Sequence, residues 1–156
     1  MDELAEQWFW SKVDTSAGPN GCWPWTAAVA RGYGRFVLDR KVRQAHHVAF
    51  ELLTGEPFGA LYLGHTCHNK ACVNPAHLER MTKTECNQNR GGPQRNSRSG
   101  VRNVARRGKR WGVRVGHNGG SVYVGTFDSL DEADAAALAK RNALFTANFA
   151  DRASAT

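Results

Sequence analysis

A chain of 156 residues with 41% hydrophobic side chains suffices for one domain or two small ones, and cores that small gain from a staple. No apolar run approaches a membrane span, and the acidic start Met-Asp-Glu-Leu-Ala-Glu-Gln-Trp is no signal peptide; membrane and secreted classes are set aside, and a cytoplasmic, intracellular protein is expected. The net charge of +7 points to a polyanionic partner, and four cysteines in a reducing compartment read as metal ligands or free thiols rather than disulfides.

Residues 2–12 read as a short helix with Leu4, Trp8 and Phe9 on one side. Ser16 to Gly21 is turn chemistry, followed by Cys22-Trp-Pro-Trp25. Residues 33–38 and 41–44 pattern as two strands joined at Asp39-Arg40, and Arg35, Arg40, Lys41 and Arg43 are expected to make one face of this hairpin basic. A helix is predicted from His46 to Leu53, closed by Gly55 with Pro57 just beyond. Residues 90–100 lack periodicity and read as a flexible basic linker. Three strands follow, at 101–105, 110–115 and 121–127, with turns at 107–109 and 117–120. Ser129-Leu-Asp-Glu132 is a capping box that opens an Ala-rich helix to about Phe145, its Leu130, Ala133, Ala137, Leu138 and Leu144 facing a core. The expected organisation is a module at 1–89, the linker at 90–100, a second module at 101–148 and a tail at 149–156.

Charge is concentrated at the junction. From Arg80 to Arg114 there are eleven basic residues against the single acid Glu85, about half of the chain's 21 Lys and Arg. Such a stretch suits contact with phosphates.

The most informative spacing is His65-x-Cys67-x4-Cys72-x4-His77. Zinc takes four thiolate or imidazole ligands tetrahedrally, and Cys67, Cys72 and His77 supply three from one turn-rich segment. The fourth comes from elsewhere: Cys22, with His46 or His47 as the alternative. This segment, Gly64-His65-Thr-Cys67-His-Asn-Lys-Ala-Cys72-Val-Asn74-Pro75-Ala-His77-Leu78, resembles the His-Cys box branch of HNH homing endonucleases. Gly21-Cys22-Trp23-x-Trp25 and Ala45-His46-x-Val-Ala49 are similar to the phage and bacterial HNH group, so the likeness runs over about residues 5–90. The resemblance implies an α+β fold of ββα-metal type, stapled by a structural Zn2+ on Cys22, Cys67, Cys72 and His77. It also implies a hairpin carrying His65 as general base and a helix presenting a ligand to a catalytic Mg2+ or Mn2+. On a strand, His65 and Cys67 are expected to share a side, letting the staple position the base.

Where the relatives have Asn on that helix, this chain has Cys86, with Asn89 nearly one turn on. The cation is therefore expected at Cys86 or Asn89, and the alternative is a zinc-containing DNA-binding protein that cuts weakly or not at all. Arg43 is grouped with the catalytic residues as well as with DNA contacts.

In the second module Ser99-Gly-Val-Arg102, Arg110-Trp111-Gly-Val-Arg114, Val124-Gly125-Thr-Phe127-Asp128 and Glu132-Ala-Asp-Ala-Ala136 resemble the AP2-type DNA-binding domain, a three-stranded antiparallel sheet on one helix. That likeness implies duplex DNA as partner, with Arg102, Arg106, Arg110, Trp111 and Arg114 on the DNA-facing surface. Arg35, Lys41 and Arg43 of the basic hairpin and Arg90 of the basic linker are expected to add contacts. A homodimer, the target sequence and the number of strands cut stay open.

Overall fold

The computed structural model describes residues 2–57 and 59–153; Met1 and the last part of the predicted tail, 154–156, lie outside the described residues. The chain divides into two compact units, 1–83 and 84–156. Residues 84–89, expected in the first module, and 90–100, expected between modules, thus go with the second unit.

In the first unit, α1 (Glu3–Trp10) starts where the Asp2 carboxylate accepts from the Ala5 N–H at 2.8 Å. Strands β1 (Val29–Ala30), β2 (Tyr33–Leu38) and β3 (Lys41–Gln44) form an antiparallel sheet in that order. Helix α2 (Ala45–Thr54) ends on Gly55 in the left-handed conformation, as Gly55 in the sequence foretells. Phe9, Trp25, Phe36, Val48 and Val73 close a core between α1, the sheet and α2. The Phe9 ring sits 5.1 Å from Phe36 and 5.2 Å from Trp25, within the range of favourable ring pairs. Two further strands, β4 (Tyr62–His65) and β5 (Leu78–Met81), pair antiparallel around the cysteine-rich turn, with His65 opposite Leu78.

Alternation corrects one expectation. Arg35 pairs with Gln44 while Phe36 pairs with Arg43, so Lys41 and Arg43 share the Phe36 side and Arg35 faces the other way. There is no single basic face. Arg43 is half-buried and ion-paired to Glu51 at 2.7 Å.

The second unit begins in α3 (Lys83–Gln88) and holds an antiparallel sheet of β6 (Val104–Arg107), β7 (Arg110–His117) and β8 (Gly120–Phe127). Helix α4 (Leu130–Leu144), with its Ser129–Glu132 capping box formed, packs Ala133 and Ala137 on Val104 and Val113. The predicted tail contains α5 (Phe149–Ala153), tied by Arg141 to Asp151 at 2.5 Å, with Arg141 only 4% exposed. The predicted linker is ordered: the Ser99 hydroxyl donates to the Val104 carbonyl at 2.7 Å, and Arg102 reaches the Arg90 carbonyl at 2.6 Å. Among the described residues, no helix is long and apolar enough to cross a membrane.

Candidate metal centre and base

The donor atoms of Cys22, Cys67, Cys72 and His77 all lie within 4.8 Å of one another. His77 Nδ1 is 3.6 Å from Cys22 Sγ and 3.6 Å from Cys72 Sγ. Ligands spread tetrahedrally at zinc's Zn–S and Zn–N bond lengths are separated by about 3.6 Å. The donor set therefore fits a tetrahedral Zn2+, with Cys22 in fourth place; His46 and His47 stand outside the group.

Local structure explains how distant Cys22 arrives. The Pro24 backbone bridges Cys72, the Trp25 N–H donates to Ala71 and the Val73 N–H donates to Trp23, so residues 22–25 lie alongside the turn. Asn74, 2% exposed, donates its amide to the Pro19 and Gly21 carbonyls at 2.9 and 2.7 Å and clamps the loop before Cys22. His77 Nε2 meets the Asn20 carbonyl at 3.1 Å, which leaves the proton on Nε2 and the lone pair of Nδ1 facing the sulfurs. The Cys67 thiol hydrogen-bonds Cys72, and the N–H groups of Asn74 and Trp23 point at the same sulfur; together they hold Cys72 well below the ordinary thiol range. Cys67, as donor to that sulfur and partly desolvated, is pushed up.

His65 closes β4 and is 7% exposed. Cys67 lies beyond the strand's end, so the expected same-side alignment does not link base and staple. The link is a hydrogen bond: His65 Nε2–H donates to the Cys72 carbonyl at 2.9 Å. A carbonyl only accepts, so Nδ1 carries the basic lone pair. Burial pushes the His65 imidazole below its ordinary range, partly opposed by the Cys72 bond. Around it stand two rings: His46, weighed in the sequence as a zinc ligand rather than a neighbour of the base, at 4.7 Å, and Tyr33, given no role there, at 6.0 Å between centroids. His46 is 1% exposed, its Nδ1 is buried with no hydrogen-bond partner among the described residues, and burial beside His65 and His47 drives its pKa down to about 2.

Gly64 precedes the candidate base on β4. A side chain there would run into the sulfur of Met81, itself 1% exposed. A larger residue at 64 would have to displace the end of the Met81 side chain.

The remaining predicted residues separate. Cys86 is half-buried on α3, and Asn89 is buried, its N–H continuing the helix to the Glu85 carbonyl at 2.8 Å. A thiolate is soft and suits zinc better than a hard Mg2+. The donors at this end of α3 therefore do not fit a magnesium shell as they stand. In the second unit the Arg102 guanidinium is engaged within the protein: it donates to the Gln88 and Arg90 carbonyls at 2.9 and 2.6 Å and lies over the Phe145 ring. Trp111 shares the Val113 and Val115 side of β7 and packs toward α4, with Arg106 stacked on it at 4.6 Å. Arg110 and Arg114 do face away from the helix, Arg110 pairing with Asp128 at 2.6 Å. With Arg114, around a hollow of about 300 Å³, stand Arg107, Gly112, Tyr123 and Thr126, of which Arg107 and Tyr123 were not foreseen. Arg35, Lys41 and Arg90 are exposed.

Residues 43–88 match the family model of HNH endonucleases. The matched segment holds His65, Cys67, Cys72, His77 and Cys86, covers under a third of the chain, and excludes Cys22 and the whole three-stranded sheet of the second unit. No curated protein and no solved structure matches the chain.

Proposed function

Starting from the HNH endonuclease match over residues 43–88, we propose that the protein is a zinc-stapled DNA endonuclease of homing type. It acts inside a cell, where thiolates stay reduced for zinc, and hydrolyses phosphodiesters in duplex DNA. The observation that carries this reading is the His65–Cys72 hydrogen bond at 2.9 Å, which turns the basic nitrogen away from the staple loop.

In this reading Cys22, Cys67, Cys72 and His77 hold Zn2+, which supplies no chemistry beyond fixing the turn. His65 Nδ1 takes a proton from water; the oxygen so generated bonds to phosphorus, an ester P–O bond breaks, and the leaving oxygen is protonated by solvent. Because burial keeps His65 below its ordinary range, it is neutral and competent at pH 7. The outward face of the β6–β8 sheet, with Arg107, Arg110 and Arg114, supplies an AP2-like contact to the duplex.

The test is strand scission of supercoiled plasmid bearing the protein's insertion site, with added Mg2+ or Mn2+. Nicked or linear product is expected from the wild type. His65→Ala is expected to lose at least a hundredfold in rate while still binding one equivalent of zinc. No scission with either ion, or undiminished scission by His65→Ala, refutes the proposal.

A second reading is favoured by Cys86: a DNA-binding descendant that no longer cuts. There Cys86→Asn confers cleavage on a silent wild type. Rapid cleavage by the wild type excludes it.

A further inference from the structure

Strand alternation leaves the β2–β3 ribbon with an open face that the hydrolytic site does not use. Gly34 and Phe36 turn to the aromatic core, so Arg35 and Val37 turn away, and their cross-strand partners Gln44 and Val42 turn with them. All four are exposed, the paired valines by 51% and 53%. Arg35 has no ion-pair partner among the described residues. Gln44 occupies the N-cap position of α2, yet its amide makes no capping bond.

This face leads to the candidate base. Tyr33, on the same side of β2 as Arg35, has its ring 6.0 Å from His65 and 5.5 Å from His46. The turns at the two ends of β2 each hold an exposed arginine at positive φ: Arg31 at 54°, beside Gly32, and Arg40 at 61°, beside Asp39. Two-residue hairpin turns favour Asn, Asp or Gly there, because a Cβ is crowded in the left-handed region. Arginine is a poor choice for such a turn. What it supplies is a cation at each end of the ribbon.

A two-stranded ribbon fits the major groove, where Arg reads guanine, Gln reads adenine and an apolar side chain meets the thymine methyl. We propose that the outer face of the β2–β3 ribbon reads bases in duplex DNA. Arg35 and Gln44 take purine edges, Val37 and Val42 take thymine methyls, and Arg31 and Arg40 hold phosphates beyond either end. The inference rests on DNA being the substrate, as proposed above. An acidic protein partner would meet the arginines but draws no distinction between thymine and uracil.

The experiment uses the full-length, zinc-loaded chain without added Mg2+ or Mn2+. Duplexes are selected from a random library, and each thymine of the selected sequence is replaced singly by uracil. At one or two positions, loss of the methyl is expected to weaken binding about three- to fivefold. The double variant Val37→Ser/Val42→Ser is expected to lose that discrimination. Arg40→Gly is expected to raise the melting temperature of the protein yet weaken binding to all duplexes alike, a combination that a purely structural arginine does not produce. Indifference of the wild type to uracil at every position overturns the inference. So does full discrimination by the folded double variant. If DNA is cleaved but no methyl matters, only the ribbon assignment falls; if no duplex is selected or cut, the DNA reading falls with it.

Discussion

At His46 a titratable side chain is kept uncharged by its surroundings. Its folded pKa is about 2, from burial and the neighbouring His65 and His47, whereas an unfolded histidine titrates near 6.5. Below that value the unfolded chain takes up a proton that the folded chain refuses, so stability falls as pH falls. One such group costs about 1.4 kcal/mol by pH 5.5. Urea midpoints of wild type and His46→Phe, compared from pH 7.5 to 5.5, should diverge by that amount; parallel curves would falsify the neutral assignment. His65, Cys67, Cys72 and His77 were legible in the sequence, because their spacing is local. The place of His46 and Tyr33 beside His65 was not, since their rings meet His65 only when the start of α2 and the start of β2 are brought against β4.

Among the elements, the metal loop is held less by its own turn than by Asn74. Asn74→Ala leaves two backbone carbonyls, those of Pro19 and Gly21, without their donor. The expected cost is about 2–3 kcal/mol, together with a zinc affinity lower by about tenfold or more. Thermal melts and competition against a chromophoric chelator measure both, and an unchanged zinc affinity would show that the clamp is not needed to place Cys22. The Asn-Pro pair in the sequence marks a turn, but the carbonyls it serves are more than fifty residues away. The same limit explains Trp111 and Arg102. Short motifs place both in a sheet module, yet which side of β7 faces α4, and which carbonyls lie within reach of a guanidinium, are settled by packing. The run 90–100 looked like a linker because hydrogen bonds from Ser99 and Arg102 have no periodic signature.

For the whole molecule, two units with separate cores and a single four-ligand metal group among the described residues predict separable stabilities. Calorimetry with a strong zinc chelator should abolish the transition of residues 1–83, whose Cys22 loop depends on the metal, and leave that of 84–156 in place. Simultaneous loss of both transitions would refute this.

By itself the sequence determined α1, the β2–β3 hairpin, α2, the three strands of the second unit and α4 in their order, the cysteine–histidine spacing, the helix caps at Gly55 and Ser129 and the concentration of charge from Arg80 to Arg114. These are local properties, set by turn chemistry, periodicity and composition. Only the tertiary structure decided that Cys22 completes the metal group, that the Cys72 carbonyl orients His65, that the Met81 side chain lies against Gly64, and that Arg35 and Arg43 part to opposite sides of one ribbon. Each of these depends on which atoms a folded chain brings within a few ångströms, and on which side of a strand a core claims first.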